Sequence, residues 1–250
     1  MRWYIIALVV PLIFVPPARS DEFLFSGGAP LDTYQPLIIV PLLTEAFKRA
    51  GHTFKAIHYP SLRSLKSSNS GKTDGELHRV HQLHQVSKRK YPNLVRIESE
   101  LLRTATGIFT SKEDAAIGTI DDLTGYRIAI KRGRLRMTAR LAKLPNPTII
   151  FPVSSDLAGI RMLARGKFDF AVMEFNEGNA IISSNPKFNN IISVARLSES
   201  RIYSYMHKRH HKVARQIAAN LEKMKAEGLF QNIVARSIKE FNSLLARSAK

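Results

Sequence analysis

The alternation of apolar and polar positions predicts strands and helices in turn over the first part of the chain. Apolar residues at Leu37, Val40, Leu43 and Phe47 share one face of a helix that Gly51 ends. Short apolar runs bounded by turn residues predict strands at 23–26, 53–59, 95–97 and 104–109, a further strand entered through 71–77, and a short helix at 60–65. Strands and helices in this order are typical of a parallel, wound sheet.

Prolines complicate the first helix. Pro41 lies inside the helical pattern, where it predicts either the true helix start or a kink. Residues 34–36, with the sequence Tyr-Gln-Pro, are expected to form a loop before the helix.

A strand–glycine–helix unit occupies the middle of the chain at 120–133, IDDLTGYRIAIKRG. It predicts a strand, a stop at Gly133 and a polar helix over 134–141. A second such unit follows, with a helix, a glycine and a strand at 168–173 that ends in Glu174. Because ligands of open α/β sheets bind at the carboxyl ends of strands, Gly133 and Glu174 are candidate site positions.

The C-terminal region predicts a strand at 202–206 and two helices that have no sheet of their own. The first of these helices carries an apolar stripe at Val213, Ile217, Leu221 and Met224. Both helices are expected to pack back on the first part of the fold.

The order of these elements predicts two lobes. The chain is expected to cross between them near residues 106–110 and 198–203, and two crossing strands make a hinge. The predicted division assigns 21–109 plus 200–250 to lobe one and 110–199 to lobe two, after a leader at residues 1–20. A chain of 250 residues has room for two such lobes.

The leader has the pattern of a secretory signal peptide. Arg2 gives a positive start, residues 4–15 are apolar, and Ala18 and Ser20 are small residues at the two positions that a signal peptidase reads. The alternative is a membrane anchor, but the apolar run is shorter than the roughly 20 residues that span a bilayer. The sequence therefore predicts export to the periplasm and cleavage after Ser20.

Charge and cysteine content narrow the function classes. The chain has no cysteine, which excludes thiol nucleophiles and thiolate metal sites. The formal charge is +18, but Lys and Arg are scattered along the chain and no nucleic-acid motif is present. A basic surface is the favoured interpretation, and no nucleic-acid partner is expected.

The ordered set of motifs resembles the bacterial extracellular solute-binding proteins of family 3, the amino-acid-type periplasmic binding proteins. The resemblance covers essentially the whole mature chain. The matching segments are LLTEAFKRAG at 42–51, YPSLRSL at 59–65, GKTDGELHRV at 71–80, YPNLVRIESELL at 91–102, IDDLTGYRIAIKRG at 120–133, LARGKFDFAVME at 163–174 and MKAEGLFQNI at 224–233.

This resemblance implies a two-lobed type 2 periplasmic-binding-protein fold. Each lobe is expected to be a wound sheet flanked by helices, and two strands form the hinge. The implied function is non-catalytic capture of a small polar molecule, an amino acid or similar, for an inner-membrane transporter or a sensor. The protein is expected to act as a monomer without cofactor or metal.

The resemblance also suggests site residues. In the family, a lobe-one arginine binds the ligand carboxylate and an acid at the end of a lobe-two strand binds the ammonium group. Glu174 lies five residues after Asp169, where the family has an aspartate, although a solvated strand-end acid is the alternative. The family's T-x-x-R turn is absent, so Arg79 is expected to serve in its place and Glu76 to face the same cleft.

Five further positions complete the predicted ligand-binding set. Arg63 follows a strand near the expected cleft, and its alternative is a surface arginine. Tyr34 is expected to stack on the ligand or hydrogen-bond to it, unless it only packs under the first loop. Gly133, Arg134 and Thr138 lie at a predicted helix entrance that suits an anion.

Two alternatives remain open. The first is an exported enzyme on the same fold, similar to the cyclohexadienyl dehydratases, with Glu174 or Glu76 as the general acid. The second concerns His78, His81 and His84, whose spacing would place them on one helix face and suit a metal. A polar helix face is the favoured interpretation of these histidines, because no carboxylate or cysteine completes a site.

Overall fold

Nine strands form one continuous sheet in the part of the chain that the computed structural model describes, residues 20–132, 134–145 and 147–248. The strands are β1 (Glu22–Gly27), β2 (Thr53–His58), β3 (Gly75–Val80), β4 (Leu94–Arg96), β5 (Leu102–Thr110), β6 (Arg127–Lys131), β7 (Ile149–Val153), β8 (Phe170–Glu174) and β9 (Ile192–His207). Their order is β2-β1-β3-β9-β5-β8-β6-β7, and β4 pairs with β9. The predicted leader, apart from Ser20, and the predicted site residue Gly133 lie outside the described residues.

Eight α-helices accompany the sheet in the described ranges. They are α1 (Tyr34–Arg49), α2 (Ser61–Asn69), α3 (Leu83–Val86), α4 (Leu135–Leu141), α5 (Asp156–Ala164), α6 (Phe175–Ser183), α7 (His211–Ala226) and α8 (Leu229–Ser248). None of these helices is both long and apolar enough to cross a membrane.

The pairing divides the sheet into two parallel parts. In the first half, β1 is parallel to β2 and β3; in the second half, β6 is parallel to β7 and β8. Between them, β5 and β9 pair with each other and with their outer neighbours in antiparallel register. The α/β class predicted from the sequence is confirmed, and β5 and β9 are the strands that connect the two halves.

Helices cover both faces of the first half. The rings of Phe23 and Phe25 lie 5.2 and 5.6 Å from that of Phe47 in α1, whereas Ser26 points the other way and lies 3.1 Å from Ser68 Oγ of α2. This is the alternation expected of a strand. Because α7 and α8 pack against α1, these three helices lie on one face and α2 lies on the other.

The second half is also covered on both faces. Ile128 and Ile130 of β6 pack in one core cluster with Leu141 at the end of α4. Ala129, between them, belongs to the core on the opposite face, together with Ile160 of α5. The two units predicted in the middle of the chain are therefore present with small changes of boundary: a strand followed by a helix over 134–141, and a helix followed by a strand at 168–173.

Helix α1 begins earlier than predicted. Tyr34 is already helical, so the loop expected at 34–36 is wrong, and Pro41 lies inside the helix rather than at its start. Pro36 is tolerated because the N–H groups of a first helical turn have no partner within the helix. The helix continues through Pro41 because the residues around that proline, such as Ile39 and Leu42, are fully buried.

Several predictions from local pattern failed. Strand β7, helix α6 and most of β9 were not predicted. The three histidines proposed to share a helix face do not do so, because His78 lies in β3, His81 in a turn and His84 in α3. Among the described residues, no group of three or more His, Cys, Asp or Glu could hold a metal ion.

Candidate ligand-binding site

Arg79 and Glu76 face each other near the end of β3. Arg79 Nη2 lies 2.7 Å from Glu76 Oε1, and the guanidinium also donates to Ser61 Oγ at 3.0 Å and to the Ser61 carbonyl at 3.1 Å. The register of β3 against β9 shifts between the two residues, which lets side chains three apart meet on one side of the sheet. A Cβ at Gly28 would lie 2.9 Å from Arg79 Nη2. The guanidinium therefore joins β3, the start of α2 and the loop after β1.

Glu76 is completely buried beneath this guanidinium. Ser64 Oγ of α2 donates to its Oε2 at 2.7 Å, and Ser68 Oγ lies 3.5 Å from the same atom. Burial raises the pKa of the Glu76 carboxyl, while the charge of Arg79 opposes that rise. Arg79 thus has an internal carboxylate partner at the place where the resemblance predicted a ligand carboxylate.

Glu174 lies at the end of β8 and caps α6. Its Oε2 accepts the Glu177 backbone N–H at 2.6 Å, and its Oε1 accepts Thr104 Oγ1 from β5 at 2.9 Å. The residue is only 5% exposed. An acceptor at this position satisfies a helix N–H group that has no partner within the helix. Both carboxylate oxygens therefore have a structural contact, and each keeps a lone pair for a further donor.

A buried charge cluster adjoins this cap. Asp156, the first residue of α5, is 2% exposed and its Oδ2 lies 2.9 Å from Arg134 Nη2 and 3.5 Å from Lys131 Nζ. Its Oδ1 is buried without a hydrogen-bond partner among the described residues. Burial, and to a smaller extent the negative charges of Asp156 and Glu174, raise the pKa of Glu177 to about 7. The positive charges of Lys131 and Arg134 oppose this rise. In the second half, the negative charges of these three carboxylates are thus only partly balanced by the two neighbouring cations.

Tyr34 connects the first half to these carboxylates. It begins α1, is 8% exposed, and its ring packs edge-on against Phe241 of α8 with centroids 5.3 Å apart. Burial raises the pKa of its phenol to about 12, and the negative charges of Glu174 and Glu177 contribute to that rise. The charges of two carboxylates from the second half therefore act on a buried phenol of the first half.

The remaining predicted residues lie in different surroundings. Arg63 is exposed on α2, where its guanidinium stacks over the Tyr59 ring at 4.6 Å, and it is not part of the Arg79 cluster. Arg134 precedes α4 and is bound to Asp156. Thr138 is half-buried in α4, where its backbone N–H donates to the Arg134 carbonyl at 2.9 Å.

Sequence reasoning missed Glu177, Asp156 and Lys131. A partial signal for Glu177 was available, because a glutamate three residues after a side-chain acceptor is typical of a capping box, although Glu174 stands where Ser or Thr is usual. The pair Ser155 and Asp156 likewise indicates a helix start, since Ser155 Oγ accepts the Ala158 N–H at 3.0 Å. No local pattern indicates that these two helix starts lie together.

Comparison with known proteins finds a relative by sequence and neighbours by structure. No family model matches the sequence. An uncharacterized protein of Shewanella oneidensis is 31% identical over 194 residues, which cover 76% of this chain and 72% of the relative.

Solved structures share the fold at low sequence identity. A histidine kinase sensor domain with similarity to periplasmic binding proteins superposes with a TM-score of 0.66 at 18% identity, covering 87% of this chain and 96% of that domain. The amino acid ABC transporter substrate-binding protein AbpA of Streptococcus pneumoniae, solved with L-arginine, gives 0.65 at 13% identity and covers 88% and 95%. The chain belongs to one family with the Shewanella oneidensis protein, and its fold is the two-lobed α/β fold of the family 3 solute-binding proteins, as their motifs predicted.

Proposed function

We propose that this chain is a non-catalytic solute-binding protein whose two lobes close on a small polar molecule that carries a cationic group. The observation that carries the proposal is the coupling of Tyr34, at the start of α1, to Glu174 and Glu177, at the start of α6. Ligand sites of binding proteins combine an enclosed cleft with a few convergent polar groups. Tyr34 and Glu174 are buried polar groups of this kind, and they come from the two halves of the sheet.

The charges favour an ammonium or guanidinium group on the ligand. Arg79 is engaged by Glu76, and Arg134 is engaged by Asp156. Glu174 and Glu177 keep acceptor capacity beside Tyr34, and a phenol with a pKa of about 12 stays protonated and able to donate at neutral pH. A structural neighbour solved with L-arginine is consistent with a ligand of this class. Of the set predicted from the sequence, Tyr34 and Glu174 form the centre of the proposed site.

A thermal-shift screen of residues 21–250 tests the proposal with arginine, lysine, putrescine, glutamine and glutamate. A ligand at 100 times its dissociation constant should add about 2.7 kcal/mol to the free energy of unfolding. The cationic compounds should stabilise the protein and glutamate should not. Glu177→Gln should weaken the shift, whereas Glu113→Gln, at an exposed position, should leave it unchanged. Stabilisation by glutamate alone would contradict the proposed charge preference.

Closure about the connecting strands is the second part of the proposal. We assign lobe one to 21–109 plus 200–250 and lobe two to 110–199, because β5 and β9 are the strands that pass between the two halves. Small-angle scattering should show a smaller radius of gyration when the ligand found in the screen is present. An unchanged radius with a saturating ligand would contradict closure.

Export and delivery complete the proposal. We propose cleavage after Ser20 and action as a periplasmic monomer, so N-terminal sequencing of the exported protein should begin at Asp21. Neighbours of the same fold include a transporter substrate-binding protein and a kinase sensor domain. The captured ligand would therefore serve either transport or sensing. Deletion of the gene should reduce uptake of the ligand if the output is transport, and should change ligand-dependent transcription if it is sensing.

An enzyme on this fold is the second candidate, and Glu177 is the observation that favours it. A carboxyl with a pKa of about 7 is suited to general acid catalysis at neutral pH. The dehydratase alternative requires such a group beside a leaving hydroxyl. Turnover of prephenate or arogenate by the purified mature protein, abolished in Glu177→Gln, would establish it; binding without turnover would favour the first proposal.

A further inference from the structure

Six exposed basic residues gather on the α2 side of the first half. Three lie on or just after α2 and three are consecutive in the turn after α3; together they are here called the basic face: Arg63, Lys66, Lys72, Lys88, Arg89 and Lys90. None of them forms an ion pair within the described ranges. Asn69 at the end of α2 joins the α2 residues to the segment that follows Lys90. Its Oδ1 accepts a hydrogen bond from the Asn93 N–H, and its carbonyl accepts one from Asn93 Nδ2, each at 3.0 Å.

The first part of the basic face is concave. An open groove of about 680 Å³ runs along α2, with Arg63, Lys66 and Lys72 among its lining residues. The hydroxyl-bearing Ser67 also lines it. Arg63 is held in place by stacking on Tyr59 at 4.6 Å. This groove is large enough for a small polar group, and it offers cations without a carboxylate in its lining.

The second part is a strained turn. Lys88 and Arg89 have φ values of +51° and +55°, a left-handed conformation that non-glycine residues rarely adopt in succession. The turn is closed by hydrogen bonds from Arg89 N to the His84 carbonyl at 2.8 Å and from Lys88 N to the Gln85 carbonyl at 3.1 Å. Backbone strain of this kind, kept where three consecutive cations face solvent, motivates a functional hypothesis.

Exposed apolar side chains accompany the cations. Leu62, beside the groove, is 58% exposed, and Val86, before the strained turn, is 45% exposed. Each stands singly among polar neighbours and does not form the contiguous apolar centre that protein interfaces have. Arg63 stacks over the ring of Tyr59 in the groove, which leaves less of this ring for stacking with a nucleic-acid base.

We propose that the basic face docks on an anionic membrane surface, with lipid phosphates in the groove and at the turn, and Leu62 and Val86 in the headgroup region. Cations without ion pairs, single apolar residues between them and a groove that can hold a lipid headgroup fit this partner better than an acidic protein or a nucleic acid. The surface is independent of the proposed ligand site, because it lies on the outer side of α2 and includes none of Tyr34, Glu174 and Glu177.

Vesicle co-sedimentation tests the proposal with the mature protein. Vesicles of phosphatidylcholine with phosphatidylglycerol should bind it at low salt, and vesicles of phosphatidylcholine alone should not. A basic residue near an anionic surface contributes about fivefold to binding, so the triple variant Lys88→Gln, Arg89→Gln, Lys90→Gln should lose on the order of 100-fold. The residues are exposed, and circular dichroism should show an unchanged fold.

A charge-matched variant separates docking from the general attraction of a basic protein. Lys212→Gln, Arg215→Gln, Lys239→Gln removes the same charge from exposed positions on α7 and α8, which lie on the opposite face of the first half. This control should bind nearly as well as the parent, and Leu62→Ser should weaken binding at salt concentrations where the parent still binds. Equal loss in the two triple variants, or no preference for phosphatidylglycerol, would overturn the proposal. Unchanged vesicle binding in the triple variant Lys88→Gln, Arg89→Gln, Lys90→Gln would also overturn the proposal.

Discussion

Arg79 and Glu76 form an ion pair within a single strand, with Nη2 and Oε1 2.7 Å apart, and the carboxylate is completely buried. Residues three apart in a regular strand point to opposite faces. The pair exists because the register of β3 shifts between these residues. The same guanidinium binds Ser61 at the start of α2, so this pair links α2 to the buried carboxylate in β3.

Removal of Arg79 should destabilise the ligand-free protein. Arg79→Ala leaves the buried carboxylate of Glu76 without its counter-charge, and breaking a buried pair on one side typically costs about 3–5 kcal/mol. The role of Arg79 in binding a ligand carboxylate, expected from the resemblance, stays a prediction beside this structural role. Urea denaturation measures the change in the free energy of unfolding.

A double variant supplies the control for this pair. Arg79→Leu combined with Glu76→Leu removes both charges, so it should be more stable than Arg79→Ala alone. Arg63→Ala, at an exposed position on α2, should change the free energy of unfolding by less than about 0.5 kcal/mol. If Arg79→Ala is as stable as Arg63→Ala, the pair does not contribute to stability.

Two substitutions of Glu174 distinguish its structural role as a helix cap from its proposed role in ligand binding. Glu174→Ala removes the acceptor for the Glu177 N–H and for Thr104 Oγ1, and loss of a helix cap costs about 0.5–2 kcal/mol. Glu174→Gln keeps an acceptor of the same shape but removes the charge, so it should be nearly as stable as the parent. It should nevertheless bind a cationic ligand more weakly, as calorimetry would show. Full affinity in Glu174→Gln would remove Glu174 from the proposed site.

Two glycines enclose the ring of Phe109, and one of them gives a sharp test of packing. A Cβ at Gly107 or at Gly178 would lie 2.6 Å from Phe109 Cε2, and Phe109 is fully buried. Gly178→Ala should therefore destabilise the protein by about 1–3 kcal/mol, although alanine is the better helix former. Gly118→Ala, where the nearest atom is Asp122 Oδ2 at 3.9 Å, should be nearly neutral. Thermal denaturation compares the two variants, and equal melting temperatures would contradict this account.

Sequence pattern predicted the elements whose apolar faces lie in the core. The stripe at Ile217, Leu221 and Met224 forms the buried side of α7, and each of these residues is fully buried. Strand β7 was missed because it lies at the edge of the sheet, where Ile149 and Phe151 are 48% and 38% exposed. An element that buries one face shows a periodic pattern of apolar residues in its sequence. An edge strand with exposed apolar residues does not show this pattern.

Site residues were harder to predict than elements. Glu174 was selected from its position at a strand end. Its role as a helix cap was not recognised, because helix α6, which begins at the very next residue, was not predicted. The ion pair of Glu76 with Arg79 depends on an irregular strand, and the basic face depends on a contact between Asn69 and Asn93. Both arise from tertiary geometry, which the order of residues in the chain does not encode locally.

The raised pKa of Glu177 predicts opposite effects of pH on stability and on ligand binding. A glutamate in an unfolded chain has a pKa of about 4.3, whereas that of Glu177 is about 7. Between these values the folded protein holds a proton that the unfolded chain has released. The contribution of Glu177 to the free energy of unfolding therefore falls as pH rises toward 7 and is constant above it.

Binding of a cationic ligand should strengthen over the upper part of the same range. Ionisation of Glu177 adds a negative charge beside Tyr34, so affinity should rise as pH passes through 7, by at most about tenfold per pH unit for one linked proton. Glu177→Gln should be more stable than the parent above pH 7, and its affinity should depend less on pH. Urea denaturation and calorimetry in steps from about pH 5 to about pH 8 measure both quantities. Glu113→Gln, which removes an exposed carboxylate, should follow the parent in both. A parent whose affinity for the cation falls as pH rises through 7 would show that Glu177 does not face the ligand.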